Sequence, residues 1–307
     1  MNKQKIAKLV AMLVLTGCSA HAQLIISDNY NVTTATTGFA LDNGANFGIN
    51  PPTTRLTGSA AANLRYLQTA TGKAATAYGI ASDKLEVPLT ASSGRFTLSA
   101  DGTTAFDFAS FLTSGSATPV NPAVYDIAIS MNNGNSGTTR FSFGFGTEDA
   151  NVDKLDFALQ LFRTNNTASR YWIQKRIDTL SSGVADLNEN IIRLGVNTYG
   201  TELDFLMRVT DAGAESGLNY NSRVQVSMDG GSTWFYDTAS DTDLPNGWRF
   251  DDVGRFFTWD QAGANSGSGQ VTYDNFSVTL ITPAVPEPSA LALGLLGGIA
   301  VMIRRRR

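Results

Sequence analysis

Histidine and cysteine are almost missing from this 307-residue chain: there is one of each, His21 and Cys18. Both lie in the first 22 residues, a stretch that reads as a removable leader. Cleavage after Ala22 leaves a body with neither. Such a body excludes Ser-His-Asp and Cys-His catalysis, a His/Cys zinc site and a disulfide. Lysine is scarce as well. Three of the 23 Lys+Arg lie in the leader and four close the chain, whereas only one of the 27 Asp+Glu, Glu287, lies outside the body. The remaining 16 and 26 leave the body at about −10, which disfavours nucleic acid and anionic lipid as partners. Convincing helical periodicity is absent too, which argues against a helical bundle. What is present instead is Gly, Ser, Thr and Asn, the composition of a turn-rich β protein of roughly 260 residues.

The leader has three parts. Lys3, Lys5 and Lys8 are a positive start, Leu9 to Leu15 is a compact apolar run, and Ala20-His21-Ala22 is a small-x-small cleavage site. Cutting there makes Gln23 the first mature residue. A competing pattern overlaps it: Leu15-Thr16-Gly17-Cys18 fits a lipobox, which would leave Cys18 lipidated at the mature N-terminus.

The other end carries three blocks in fixed order. Val285-Pro286-Glu287-Pro288 is an extended segment, because proline fixes φ, donates no amide hydrogen and stops a following helix from growing backwards. Ser289 is an N-cap for the uncharged run Ala290 to Ile303. A helix over 289–303 is roughly 22 Å long, shorter than the ~30 Å hydrocarbon core, and it anchors only if arginine stems snorkel or the bilayer thins. Arg304, Arg305, Arg306 and Arg307 follow directly and favour the cytoplasmic side. The alternative, a buried C-terminal core helix, sits poorly with a charge block beside the apolar run. This block order resembles the PEP-CTERM sorting signal of Gram-negative, exopolysaccharide-producing bacteria, over about the last two dozen residues. The resemblance implies an exosortase as partner, a transient inner-membrane anchor, and a final place at the cell surface or in the extracellular matrix. A sorting anchor makes a lipid redundant, so the cut after Ala22 is preferred to the lipobox.

Between the ends, period-two alternation recurs. Tyr125, Ile127, Ile129 and Met131 share a face, as do Phe141, Phe143 and Phe145, and the turn-rich Asn132 to Gly137 between them predicts a hairpin. Further strands are expected at Leu24 to Ser27, Gly94 to Ala100, Leu155 to Phe162, Tyr171 to Ile177, Ile191 to Val196, Leu203 to Val209, Arg223 to Met228, Trp234 to Tyr236, Phe256 to Trp259 and Val271 to Ile281. The alternation slips at Asp274-Asn275, which predicts a bulge. Ala60 to Ala77 fits either helix or strand. The expected fold is all-β: an antiparallel two-sheet jelly-roll-like sandwich over 23–281, with a signal peptide before it and a single hydrophobic helix after it, in the sorting segment 282–307. The strand pattern, ending in Tyr273-Asp274-Asn275-Phe276-Ser277-Val278, loosely resembles concanavalin A-like (laminin-G-like) jelly rolls.

Four groups of residues are candidates for chemistry. Glu202-Leu203-Asp204-Phe205 resembles the start of the Glu-x-Asp-x-(x)-Glu strand of laminarinase-like glycosidases, but Leu206 and Met207 stand where the second Glu is required. Two solvated carboxylates on an outer face is the plainer reading. Ser227-Met228-Asp229-Gly230-Gly231-Ser232-Thr233-Trp234 matches the Asp-box of sialidase-type propellers, which implies a turn capped by Asp229, an unusual φ at Gly231 and Trp234 packed beneath. Asp149, Asn151 and Asp153 place three oxygen ligands at alternate positions, a candidate calcium loop. Lys154 and Gln160 exclude an EF-hand. Asp237, Asp241, Asp243, Asp251 and Asp252 are a second acidic cluster, and Trp172, Trp234, Trp248 and Trp259 are candidates for stacking on sugar rings.

The expected function is that of a non-catalytic exported protein of the envelope or matrix, with a polysaccharide as candidate partner and no cofactor beyond a candidate calcium. The alternatives are a carbohydrate-active hydrolase working with Asp and Glu alone, and a purely structural matrix component.

Overall fold

A computed structural model describes residues 22–30, 56–58, 64–68, 79–81, 84–88, 94–101, 104–112, 123–133, 140–146, 155–163, 171–182, 187–193, 200–213, 220–250, 254–262 and 270–281. The proposed leader up to Ala20, the sorting residues Val285 to Pro288 with the arginines 304–307, the apolar run 289–303, and Asp149, Asn151 and Asp153 all lie outside the described residues.

Two antiparallel sheets make the body. Sheet 1 holds β1 (Gln23–Asp28), β3 (Gly79–Ala81), β4 (Lys84–Pro88), β6 (Ala123–Asn133), β11 (Leu203–Asp211), β12 (Arg223–Ser227), β13 (Tyr236–Asp237) and β15 (Gln270–Leu280). Its lateral order is β13-β12-β11-β6-β15-β4-β3, and β1 also pairs with β15. Sheet 2 holds β2 (Arg65–Gln68), β5 (Gly94–Ser99), β7 (Arg140–Gly146), β8 (Phe157–Arg163), β9 (Tyr171–Ile177), β10 (Leu187–Arg193) and β14 (Phe256–Ala262), in the order β10-β9-β8-β7-β14-β5-β2. Two single-turn helices, α1 (Ala109–Leu112) and α2 (Thr179–Ser182), and a 3₁₀ turn at Thr238–Ser240 complete the described elements.

The alternating residues face each other across the sandwich, because burial on one sheet face selects every second side chain. Sheet 1 contributes Tyr125, Ile127, Ile129 and Met131 from β6, Phe205, Met207 and Val209 from β11, and Tyr273, Phe276 and Val278 from β15. Sheet 2 answers with Phe141, Phe143 and Phe145, Phe157, Leu159 and Leu161, and Phe257 and Trp259. The middle is aromatic. The Trp259 ring lies 4.9 Å from Phe276, 5.2 Å from Phe143, 5.3 Å from Phe96 and 5.5 Å from Tyr66, mostly edge-on, the arrangement the ring quadrupoles favour.

The predicted bulge is there. The β15–β6 register shifts between Asp274 and Ser277, with Asn275 at φ 50° and its amide donating to Asp274 Oδ1 at 2.7 Å. Other expectations needed correction. β6 and β7 do not form a hairpin: β6 pairs with β11 and β15 in sheet 1, and β7 with β8 and β14 in sheet 2. The chain therefore changes sheet between Asn133 and Arg140. Alternation reports that one face of each strand is buried, and a hairpin and a sheet-to-sheet crossing satisfy that equally. β10 begins four residues before the expected Ile191, because a bulge between Asn190 and Ile192 breaks its alternation. The ambiguous stretch 60–77 contains the strand β2, and β3 with β4 form a short hairpin that periodicity did not reveal.

A buried ion pair ties the sheets. Arg255, just before β14, forks onto Asp211 at the end of β11 at 2.6 and 2.8 Å, and its guanidinium lies 3.6 Å over the Phe250 ring. Burial works against the Arg255 cation, but Asp211 more than offsets it and raises its proton affinity.

Candidate functional site

On a sandwich, the positions between the core-facing residues point away from the core. In sheet 1 these carry charges, as water-facing strands do: Asp126, Asp204 and Arg208, for instance. The centre of sheet 2 is different. The alternate positions of β7 and β8 are Ser142, Gly144, Gly146, Ala158 and Gln160, small or amide-bearing, and all are buried. Both faces of sheet 2 are therefore shielded there.

Register aligns these residues into a row. Ser142 pairs with Gln160, Gln160 with Gln174, and Gln174 with Asn190. On the other side Ser142 pairs with Asp260, and Asp260 with Arg95. Six neighbouring strands thus each supply one hydrogen-bonding residue at one level, about 4.8 Å apart. Ser142 and Gln160 are 1% and 0% exposed. Gln160 donates from Nε2 to Ser142 Oγ at 2.9 Å, while its Oε1 is buried with no donor among the described residues. Such an orphaned acceptor costs about 1–3 kcal/mol.

The row has two different flanks. Two residues along the strands in one direction lie Arg140 and Trp172, both half-buried. In the other direction lie Gly144 and Ala158, roofed by Leu155. A Cβ on Gly144 would come within 2.7 Å of Leu155 Cδ1, so only glycine fits beneath that roof. Leu155 is held by the segment that leads into β8: its carbonyl accepts from Asp178 N at 3.2 Å, Ser181 Oγ donates to Asp156 Oδ1 at 2.5 Å, and Trp248 Nε1 donates to Asp156 O at 2.8 Å. The assembly is a lined polar track with an aromatic and a cation on one side and an apolar wall on the other. Among the described residues the centre of the row is closed to solvent, and Arg140 and Trp172 at one end are half-buried.

The residues singled out in the sequence fall elsewhere. Glu202 pairs with Lys84, and Asp204 accepts from Ser130 Oγ at 2.5 Å, both on the outer side of sheet 1. Ser130 is in register with Asp204 on one side and Asp274 on the other, so two carboxylates flank it two strands apart. The Asp-box forms as its pattern implies. Asp229 Oδ1 accepts from Ser227 Oγ at 2.7 Å and Thr233 N at 2.8 Å, Oδ2 accepts from Thr233 Oγ1 at 2.6 Å, and Gly231 sits at φ 90° beside Trp234. Arg208, forked onto Asp126, lies 5.2 Å over the Trp234 ring. A second turn is built alike: Asp101 accepts from Ser99 Oγ, Thr104 N and Thr104 Oγ1 at 3.1, 2.9 and 2.8 Å. The shared Ser-x-Asp-Gly of Ser99 to Gly102 and Ser227 to Gly230 is the sequence signal for it.

The acidic cluster is engaged by the protein's own cations. Asp237 binds Arg223, and Asp241 and Asp243 bind Lys175. Asp251 and Asp252 lie outside the described residues, among which no group of three or more His, Cys, Asp or Glu is arranged to hold a metal. Trp248 and Trp259 are buried in the core and are not available to a ligand; Trp172 and Trp234 are half-buried at the surface. Ala22 is exposed at the start of β1. Among the described residues no helix is long and apolar enough to cross a membrane.

No protein family and no curated protein matches the chain. Among solved structures it is similar to the CBM2 module of an evolved Dit protein of Lactobacillus casei BL23 phage J-1, at 12% identity over 85% of this chain and 96% of that one, TM-score 0.42. It is also similar to the winged bean acidic lectin complexed with methyl-α-D-galactose, at 11% identity over 85% and 99%, TM-score 0.38. A glycosyl hydrolase family protein from Mycobacterium fortuitum aligns at 12% identity over 82% and 97%, TM-score 0.43. Likeness at this level says nothing about what the chain binds.

Proposed function

We propose that this protein is a non-catalytic exported protein of the envelope or extracellular matrix, and that its sandwich binds a polysaccharide at the half-buried end of the outer row of sheet 2, beside Arg140 and Trp172. The observation that carries the binding half is the pair Arg140 and Trp172, half-buried on β7 and β9 at one level of that row. An aromatic ring suits the apolar face of a sugar and a guanidinium its hydroxyls. The leader and the Pro-Glu-Pro tail support the sorting half, with an exosortase as processing partner and the inner membrane as a transient stop.

The hydrolase alternative has little support. Glu202 is engaged by Lys84 and Asp204 by Ser130, and Leu206 and Met207 stand where the second Glu of the glycosidase strand would be.

Trp172→Ala tests the binding site. Affinity for the polysaccharide retained by the wild-type protein is expected to fall about tenfold or more, ~1.4 kcal/mol. Affinity electrophoresis through gels containing the isolated exopolysaccharide measures it. Equal retardation of the variant and the wild type would remove the row from consideration, and no retardation by any glycan would leave the purely structural reading in its place.

A further inference from the structure

Lys175 is out of place by the rules of a sandwich. It sits on β9 at a core-facing position, in register with Leu159 on one side and Glu189 on the other, with Ile173 and Ile177 two residues away on the same face. Only 4% of it is exposed. Its Nζ contacts Asp241 Oδ2, and the Asp241 side chain is 6% exposed. Asp243 Oδ2 lies 3.0 Å from Nζ and Glu189 Oε2 3.6 Å away. Tyr236 covers the group: its ring is 5.7 Å from Nζ, and its hydroxyl donates to Asp241 Oδ2 at 2.7 Å. Lys175 and Glu189 belong to sheet 2, Tyr236 to sheet 1, and Asp241 to the segment just after β13.

Held as ions, this group is costly. One cation faces three carboxylates, and the Lys175–Asp241 pair is cut off from water, where desolvation rivals the Coulomb gain. The same atoms have a neutral alternative. The geometry points to an intramolecular amide between Lys175 Nζ and Asp241 Cγ, closed with Glu189 as proton carrier. A proton moves from the ammonium to the Asp241 carboxylate, leaving a free amine and a carboxylic acid. The Nζ lone pair attacks Cγ, while the Tyr236 hydroxyl holds the oxygen on which charge develops. Glu189 takes a proton from Nζ and returns it to the departing hydroxyl. The C–N bond forms first, and the bond from Cγ to the protonated oxygen then breaks as the carbonyl re-forms. An ammonium and a carboxylate become one amide and one water, with Glu189 restored and no oxidant or co-reactant used.

Closure is favoured on two grounds. The reacting groups are fixed in contact inside one fold, where effective concentrations far exceed those of free solutes. The product also removes a buried charge pair. Glu189 suits its part, since a hydrogen bond that its protonated carboxyl donates to Asp243, with partial burial, raises its affinity for a proton. Burial alone lowers that of Lys175, though Asp241 and Asp243 raise it overall while the pair stays ionic. The bond would close a loop of 66 residues and join the sheet 2 strand β9 to the segment following β13, in a body that has no cysteine after cleavage at Ala22. The inference stands apart from the glycan reading and can fail without it.

The test is a mass measurement on the purified full-length chain. After denaturation and proteolysis, tandem mass spectrometry is expected to find one branched peptide joining the Lys175 and Asp241 fragments, lighter than their sum by one water. Lys175→Arg and Asp241→Ala are expected to give linear fragments only and a lower thermal midpoint. Asp241→Asn is expected to reach the wild-type branched mass by losing ammonia, and Glu189→Gln to close more slowly. Linear Lys175 and Asp241 fragments from the folded wild-type protein would overturn the proposal, as would a water loss that persists in Lys175→Arg.

Discussion

Asp229 shows how much one exposed carboxylate can organise. Four donors from Ser227, Ser232 and Thr233 surround it, with the Thr233 hydroxyl the largest influence, and they hold its carboxyl down at about 2 against an ordinary 3.8. The sign follows from that depression. The folded hairpin binds the proton less readily than the open chain does. Its support is therefore complete above the ordinary value and is lost as pH falls through about 2. A carboxyl-carbon NMR titration is expected to place the midpoint there, and Asp229→Ala is expected to speed hydrogen exchange at the Gly231 and Thr233 amides. A midpoint near 3.8 would show that the turn is not closed in solution. This site was readable from its spacing, because all its contacts lie within eight residues. Gln160 was not: its neighbours Ser142 and Gln174 come from other strands. The only clue in the sequence was a run of outward positions that were small or amide-bearing rather than charged.

Single elements were easier to recognise than their partners. Phe141, Phe143 and Phe145 mark β7 as a strand with one buried face, and the fold agrees. Yet nothing in Arg140 to Gly146 says that it pairs with β8 and β14 rather than β6. Pairing is decided by which loop crosses the sandwich, and the polar residues 134–139 suit a crossing as well as a turn. The Arg255–Asp211 fork gives this scale a testable consequence. Both side chains are buried, at 5% and 8% exposed, and they join the end of β11 to the start of β14. Asp211→Ala leaves the guanidinium buried without its carboxylate and is expected to cost about 3–5 kcal/mol in urea unfolding. The double variant Asp211→Leu with Arg255→Met is expected to recover most of that loss, because it removes both charges together. A loss below about 1 kcal/mol for Asp211→Ala would mean the pair behaves like a surface one.

For the molecule as a whole, the function proposed above assigns the address to the two ends and the binding surface to the sandwich. Removing residues 282–307 is expected to move the protein from the cell surface or matrix to the periplasm or medium, as read by fractionation. Unchanged distribution would disconnect the tail from sorting. Composition, alternation and the missing histidine and cysteine by themselves determined an all-β body, most of its strands, the bulge at Asp274-Asn275 and the kinds of chemistry excluded. These follow from local rules: side chains alternate every two residues, and catalysis needs particular groups. Only the tertiary structure decided which strands became neighbours, that Ser142, Gln160 and Gln174 form one row, and that Lys175 meets Asp241. Those facts depend on register between segments far apart in the chain, and register is settled by the packing of two whole sheets rather than by any stretch of sequence alone.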